Sequence, residues 1–233
     1  MTPSPGIRFK EKLLAGPVSV LNPDYPSAAL VEHLGRPELG VDAVMIDLEQ
    51  GSAGMEQLEN MARAARLGGL CSLARVFSPE SWVIERVMLR GVDGIVAPRL
   101  DSPEQFRQLV LDVRYCFPRN HESKVIVAQL ESRAAHERLD EILAVEGIDV
   151  FFIGPVDLAK SMGHAGDYSR PEVVQAIEDI CRRANAARRK VGILVKPGDL
   201  QDWRRRAISF LYFHVNDWIG LGARDFPLPA KRG

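Results

Sequence analysis

Residues 125–163 decide the fold, and they read VIVAQLESRAAHERLDEILAVEGIDVFFIGPVDLAKSMG. An apolar run, residues 125–130, predicts a buried strand that ends at a carboxylate, Glu131. Apolar residues then recur at spacings of three and four, as in an amphipathic helix, and Gly147 is placed to end that helix. A second apolar run, residues 148–153, predicts another strand. The stretch therefore predicts a strand–helix–strand unit whose two strands are parallel.

An acidic residue follows each of these strands, Glu131 after the first and Asp157 after the second. Because parallel strands joined by a helix end on the same side of a sheet, both carboxylates are expected at one edge. Adjacent strands lie ~4.8 Å apart, so one cation between them can contact both carboxylates. Two carboxylates with open coordination positions suit a hard, water-retaining ion such as Mg²⁺ or Mn²⁺. Alternatively, each acid only stabilises the start of the helix that follows it.

The alternation of strands and helices continues along the whole chain. Eight apolar runs alternate with helical patterns, which predicts a (β/α)₈ TIM barrel. A doubly wound open sheet is the alternative, but no GxGxxG follows the first strand. Without a linker or a shift in composition, residues 1–233 are predicted to form one barrel domain. The predicted strands are 17–21, 42–46, 70–76, 94–97, 125–130, 148–153, 191–195 and 210–215.

Charge and cysteine content limit where the protein acts and what it binds. The formal net charge of −1 gives no electrostatic basis for binding nucleic acid or an anionic membrane. No apolar run reaches the length of a membrane span, and no signal-peptide pattern opens the chain. Cys71, Cys116 and Cys181 form no CxxC pair and no disulfide framework, which is typical of a protein in the reducing cytoplasm.

Charged residues are predicted to gather at the carboxyl ends of the strands, the functional face of a TIM barrel. Acids at this density repel one another, so a bound divalent ion would make the site electrostatically reasonable. Arg75 would be costly to bury without an anionic partner, which is either a substrate or an acid nearby such as Asp47 or Glu49. The charged residues expected at this rim are Asp47, Glu49, Arg75, Glu131, Asp157, Lys196 and Asp217.

Several segments carry a resemblance to a known family. The central motif, residues 129–163, is long and specific, and DAVMIDLEQG at 42–51 resembles a D-x-E-H segment. LARV at 73–76, GVDGIVAPRLDSPEQ at 91–105 and ND at 216–217 extend the likeness over most of the chain. Together these segments resemble the HpcH/HpaI aldolase family, the metal-dependent class II pyruvate aldolases. The resemblance implies a carbon–carbon lyase, an aldolase or decarboxylase, that acts on a 2-oxo acid through a metal-stabilised enolate.

The resemblance also implies roles for the acids at the rim. Glu131 and Asp157 match the metal ligands of the family. Asp47 and Glu49 match acids that hydrogen-bond metal-bound water. The implied cofactor is a divalent metal, Mg²⁺ or Mn²⁺, and the implied partners are a small 2-oxo acid and further copies of the same chain in a homo-oligomer.

Substrate binding is implied at two places. Arg75 matches the arginine that holds the keto oxygen and stabilises the enolate. Gly154, Pro155 and Val156 match the turn whose backbone N–H groups receive the substrate carboxylate, although proline lacks one.

Three departures from the family pattern alter these expectations. Gln50 stands where the family has a histidine of a proton-transfer dyad, and Leu89 stands where the family has the aspartate of that dyad. Glutamine is not a general base near neutral pH, so the catalytic position at Gln50 lacks its usual proton route. The segment 98–124 is short, so the family's long substrate loop is expected to be missing. The chain is also expected to end soon after the eighth strand, without the family's C-terminal helix.

Other residues are candidates for the missing base. His164, just past Asp157, and His214, on the last strand, are possible proton carriers. Lys196 is a candidate base or Schiff-base lysine, although a solvated loop lysine is the simpler interpretation. The alternative function is an aldolase-like barrel that binds a metal and a small carboxylic acid but has lost or changed the aldol reaction.

Overall fold

The computed structural model describes residues 3–225, in which eight parallel strands close into a barrel. The strands are β1 Val18–Asn22, β2 Ala43–Asp47, β3 Cys71–Arg75, β4 Gly94–Ala97, β5 Val125–Leu130, β6 Val150–Ile153, β7 Val191–Leu194 and β8 Phe210–His214. Each strand pairs with the next in the chain, and β8 pairs with β1. The predicted TIM barrel is therefore confirmed, and the predicted strands match the observed ones to within one or two residues.

Helices surround the barrel. They are α1 Pro5–Ala15, α2 Ala28–Leu34, α3 Met55–Leu67, α4 Ser81–Met88, α5 Pro103–Cys116, α6 Arg133–Glu137, α7 Leu139–Leu143, α8 Pro155–Ser161, α9 Pro171–Ala186, α10 Leu200–Arg205 and α11 Val215–Asp225, with short 3₁₀ turns at Pro37–Leu39 and His121–Ser123. Within residues 3–225, no helix combines the length and the apolar character needed to cross a bilayer.

Alternation along the strands divides the core into two layers. One set of side chains, including Met45, Phe152 and Phe210, fills the barrel interior, and the opposite set packs against the helices. Helix α1 covers one end of the barrel: Phe9 is buried in the interior layer, edge-on to Phe210 with 6.2 Å between ring centroids. Because α1 covers this end of the barrel, the opposite end is the one open to a ligand site.

Three features of the helices bear on the sequence predictions, and the first of them needs a correction. The single helix predicted between β5 and β6 is divided at Arg138, whose backbone leaves the helical region, into α6 and α7. The turn at Gly154 leads directly into α8, because Pro155 occupies the first helical position, where its missing N–H costs nothing. Helix α11 starts immediately after β8, and the expectation that the family's own C-terminal helix is missing stays a prediction.

Candidate active site

Asp47 and Arg75 form an ion pair at the ends of two adjacent strands. They are register partners on β2 and β3, and Arg75 donates from Nε to Asp47 Oδ1 at 2.9 Å and from Nη2 to Asp47 Oδ2 at 2.6 Å. Asp47 Oδ1 also accepts the backbone N–H groups of Glu49 and Gln50, at 3.0 and 3.3 Å. Burial would raise the pKa of Asp47, but the Arg75 hydrogen bonds and charge, with these two N–H bonds, hold it below its usual value.

Glu49 joins this pair to a second arginine that the sequence analysis did not single out. Its carboxylate lies 3.5 Å from Arg75 Nε and 3.0 Å from Arg99 Nη2. Arg99 follows β4 with a φ of 59°, and its backbone N–H donates to Glu131 Oε1 at 2.7 Å. Arg99 therefore connects two of the predicted acids, Glu49 and Glu131. Its position directly after Pro98, at a strand end, could have marked it in the sequence as a site residue.

Glu131 is a buried carboxylate without a cationic side-chain partner in residues 3–225. It is 7% exposed, and its oxygens accept from two neutral donors, the Arg99 backbone and Gln129 Nε2 at 2.8 Å. Burial raises the pKa of Glu131 to about 7, and the negative charges of Asp157 and Glu49 add to the effect. A buried negative charge without a counter-ion is unfavourable, and a bound cation would neutralise it.

Asp157 lies in the first turn of α8, beyond the end of β6. Its side chain is 42% exposed and accepts from Lys160 Nζ at 2.9 Å. Leu130 and Ile153 are register partners on the neighbouring strands β5 and β6, so the acids that follow them lie on one rim. The influence of Asp157 on the pKa of Glu131 is consistent with this proximity.

Gly154 and Gln129 shape the space beside Glu131. A Cβ on Gly154 would lie 2.7 Å from Glu131 Oε2, so only glycine fits there without displacing the carboxylate. The Gly154 N–H donates to Leu130 O at 3.1 Å and is already used. Gln129 Oε1 is buried and has no hydrogen-bond partner among the described residues. Sequence reasoning missed Gln129, although its two-residue spacing from Glu131 along a strand was a usable signal.

These residues border a cavity of about 420 Å³ at the carboxyl ends of the strands. Glu49 and Glu131 lie next to the cavity wall: Glu49 pairs with Arg75 of the wall, and Glu131 accepts a hydrogen bond from Gln129 of the wall. The predicted site residues in the wall itself are Asp47, Gln50, Arg75, Gly154, Pro155, Val156 and Asp157. The structure thus brings all nine predicted site residues to one place.

The candidate replacement bases are divided by the structure. His214 lines the cavity, whereas His164 and Lys196 are not in its wall. Lys196 instead pairs with Asp217 at 3.2 Å. Asn216 lines the cavity and accepts from Tyr25 Oη at 2.8 Å.

The donor set suits a hard cation of low protein coordination. Among residues 3–225 no three His, Cys, Asp or Glu side chains are grouped closely enough to hold a metal ion by themselves. The available oxygens are the carboxylates of Glu131 and Asp157 and the unpartnered Gln129 Oε1. Oxygen donors with water completing the coordination are what Mg²⁺ and Mn²⁺ accept, so these residues fit such an ion.

The family is decided by a match to a family model. Residues 27–210 match the model described as HpcH/HpaI aldolase/citrate lyase. The chain belongs to this family. The resemblance noted in the sequence is confirmed, and membership supports carbon–carbon lyase chemistry.

Two relatives match most of this chain in sequence, and a solved structure has the same fold. A hydroxypyruvate/pyruvate aldolase of Agrobacterium fabrum is 33% identical over 82% of this chain and 80% of its own. A 2-keto-3-deoxy-L-rhamnonate aldolase of Escherichia coli K12 is 29% identical over 93% of this chain and 90% of its own. A crystal structure of a family protein from Burkholderia cenocepacia J2315 superposes with a TM-score of 0.85 at 22% identity, covering 94% of this chain and 97% of that one.

Proposed function

We propose that the protein is a divalent-metal-dependent carbon–carbon lyase that acts on a 2-oxo acid, of the class II pyruvate aldolase type. The observation that carries the proposal is Glu131, a buried carboxylate with neutral partners, beside Asp157 and on the same rim as Arg75. The relatives named as hydroxypyruvate/pyruvate aldolase and 2-keto-3-deoxy-L-rhamnonate aldolase support a 2-oxo acid as substrate.

Glu131 and Asp157 would hold the metal, and the unpartnered Gln129 Oε1 is a further oxygen donor on a residue that contacts Glu131. When bound, Mg²⁺ or Mn²⁺ supplies Lewis-acid polarisation of the 2-oxo acid and part of the charge stabilisation during cleavage. Lys160, which now pairs with Asp157, can move aside at small cost because this pair is largely solvated.

Arg75 would stabilise the charge that develops on the keto oxygen. Its guanidinium is held from one side by two hydrogen bonds to Asp47, which fixes its plane at the cavity wall. A donor that is fixed before the reaction loses no reorganisation energy when the enolate forms. Asp47 therefore orients Arg75, and Glu49 adds a second negative charge 3.5 Å from the same Nε.

The substrate carboxylate would bind at the start of α8. The N–H groups in the first turn of a helix have no acceptor inside the helix. The Gly154 N–H is used and Pro155 has none, so the Val156 and Asp157 N–H groups remain for the carboxylate. Gly154 and Pro155 would contribute by keeping this surface narrow and apolar.

The proposal is tested by pyruvate release from 4-hydroxy-2-oxo acids and by oxaloacetate decarboxylation, each with Mg²⁺, with Mn²⁺ and with chelator. We expect turnover only with metal and its loss in Glu131→Ala. Glu122→Ala, at an exposed position outside the cavity, is the matched control and should keep full activity. Metal-independent turnover, or activity that survives Glu131→Ala, would reject the proposal.

A second candidate is a barrel that binds metal and a small acid without lyase turnover. It is favoured by Gln50, a residue without a basic group in the cavity wall. Calorimetry should then show oxalate binding only with metal, together with no turnover across a panel of hydroxy-oxo acids. The third possibility, a Schiff base at Lys196, requires that borohydride trap a substrate adduct.

Location and assembly are also proposed. Cys71, Cys116 and Cys181 are free thiols, in keeping with a reducing cytoplasm. Ile219 and Leu221 of α11 are exposed apolar side chains, in keeping with association of copies through this helix. Light scattering of the purified protein tests the homo-oligomer, which a monomeric mass would exclude.

A further inference from the structure

His214 and Asp24 form a hydrogen-bonded pair in the wall of the candidate active-site cavity. His214 Nδ1 lies 2.5 Å from Asp24 Oδ1, and both residues line the cavity. They come from the carboxyl ends of β8 and β1, which are paired strands. Among residues 3–225, His214 is the one histidine in this wall.

Asp24 is fixed from several directions. Its backbone has a φ of 58°, a left-handed conformation that aspartate tolerates better than most residues. Its N–H donates to Asn22 Oδ1 at 2.9 Å, and its Oδ2 accepts the Asn216 N–H at 3.0 Å. The remaining oxygen, Oδ1, is the one that contacts His214.

The imidazole is also oriented by its neighbours. Its ring packs edge-on against Tyr212, with 5.1 Å between centroids, and Tyr212 accepts from Asn22 Nδ2 at 2.8 Å. With Nδ1 donating to the carboxylate, the basic lone pair is on Nε2. No hydrogen bond to Nε2 is formed within the described residues, so that nitrogen is available to a cavity ligand.

Other titratable groups of the cavity are poorly suited to carry a proton. Asp47 is held by both Arg75 hydrogen bonds, and its pKa is low. Asp157 is a proposed metal ligand that pairs with Lys160. Burial raises the pKa of Tyr212 above its ordinary value, which already lies well above neutrality. An imidazole with one nitrogen fixed and the other directed to the ligand is the group that transfers protons near neutral pH.

We propose that His214 is the catalytic base and acid of the lyase, and that Asp24 is its positioning residue. In the direction of addition, Nε2 takes a proton from C3 of the 2-oxo acid, the C–H electron pair becomes the C2–C3 double bond of the enolate, and the C2–O π pair moves onto the keto oxygen. The keto group then re-forms as the C2–C3 π pair bonds C3 to the aldehyde carbon, the aldehyde π pair moves onto its oxygen, and that oxygen takes the proton from the imidazolium to become a hydroxyl. Cleavage is the reverse, and His214 returns to its neutral form in both directions.

The inference rests on the proposed function, and two reactions distinguish their failures. Exchange of the C3 hydrogens of pyruvate in D₂O, followed by NMR with Mg²⁺ or Mn²⁺ present, requires a base at C3. Oxaloacetate decarboxylation produces the same enolate by loss of CO₂ and requires no base, because solvent can protonate C3 afterwards.

In His214→Gln we expect exchange to fall ~100-fold or more, while decarboxylation stays within about threefold of wild type. Retained decarboxylation shows that the variant is folded and still binds the 2-oxo acid. His33→Gln, at an exposed histidine outside the cavity, is the matched control and should leave both rates unchanged.

Asp24→Asn tests the positioning role, because asparagine also tolerates the left-handed backbone. The exchange kcat should fall about tenfold or more with the KM for pyruvate and the decarboxylation rate unchanged. A purely structural role would lower both reactions together and would refute this part.

The inference would be overturned if His214→Gln exchanged the pyruvate hydrogens at the wild-type rate. It would also be overturned if the wild-type protein decarboxylated oxaloacetate but did not exchange pyruvate hydrogens. Both results leave the lyase proposal standing. A wild-type protein with neither reaction would instead reject the proposed function, and the inference with it.

Discussion

Glu131 combines burial, a position at a strand end and, among the described residues, no ion pair with a cationic side chain. Its carboxylate is satisfied by hydrogen bonds from the Arg99 backbone and Gln129, but hydrogen bonds from neutral groups do not cancel its charge. The folded protein therefore holds a proton at this residue more tightly than the unfolded chain does. The consequence can be measured without any substrate.

The metal-free protein should lose stability as the pH rises from about 4.5 to 7. The pKa of Glu131 rises from 4.5 to about 7 on folding, so below both values there is no penalty and above both the penalty is complete. In chelator, Glu131→Gln should exceed wild type in unfolding free energy by on the order of 3 kcal/mol at pH 8 and by nearly nothing at pH 4. Urea titrations measure both, and a difference that does not change with pH would contradict the prediction.

Arg75 should tolerate no substitution by lysine. Arg75 is held by two parallel hydrogen bonds to Asp47, which a lysine ammonium cannot reproduce. The cationic group at the cavity wall would therefore lose its fixed orientation. We expect kcat for pyruvate release to fall ~100-fold in Arg75→Lys. Arg90→Lys, at an arginine that pairs with Glu59 away from the cavity, is the control, and equal rates in the two variants would contradict the assigned role.

Gly154 should tolerate no side chain, because the first atom of one would meet Glu131. We expect Gly154→Ala to cost about 1–3 kcal/mol of unfolding free energy and to weaken metal binding. Gly220→Ala is the matched control: a Cβ there meets nothing within 4 Å, and alanine favours the helix α11 by about 0.5–1 kcal/mol. Thermal unfolding compares them, and equal effects would show that the contact at Glu131 is unimportant.

Sequence reasoning placed at the rim the residues that follow a strand end, and it missed Gln129, a polar residue within β5, and residues whose contacts depend on loop conformation. Glu131 and Asp157 were predicted because an acid after a parallel strand has a known direction. Arg99 reaches Glu131 through its backbone, with a positive φ that no pattern reveals. Asp24, the partner of His214, was also missed. It too has a positive φ, and it lies 190 positions away from His214 in sequence.

Strands were easier to predict than the helices between them. A fully buried strand is a continuous apolar run, and these runs end at charged or turn residues. The helix between β5 and β6 was predicted as one piece because its apolar spacing does not reveal the break at Arg138. Gly154 and Pro155 were predicted only as part of a turn, because Gly-Pro marks a turn and, equally well, the first residues of a helix; in the structure Pro155 begins α8.

Helix α1 is expected to matter more than its position ahead of the barrel suggests. Phe9 lies in the interior layer and contacts Phe210 edge-on, so Phe9→Ala should cost about 3–5 kcal/mol of unfolding free energy. Leu14→Ala, at an exposed position of the same helix, should change little. Urea titrations distinguish them, and similar midpoints would show that α1 does not stabilise the barrel.

At the scale of the molecule, eightfold alternation predicted the closed barrel, and the barrel explains the site. Closure brings β8 beside β1 and the ends of β2, β3, β5 and β6 onto the same rim. Residues far apart in the chain, such as Asp47 and Asp157, therefore line one cavity. Side-chain directions at the rim depend on loops, and for that reason the sequence alone left both the metal and the proton carrier open.

The central claim is that Glu131 and Asp157 jointly bind a divalent cation. Anomalous diffraction from crystals soaked in Mn²⁺ and oxalate tests it most directly. We predict one strong peak within about 2.3 Å of an oxygen from each carboxylate. A manganese peak elsewhere would contradict the claim. The absence of any peak, with Glu131 still bonded only to Arg99 and Gln129, would contradict it as well.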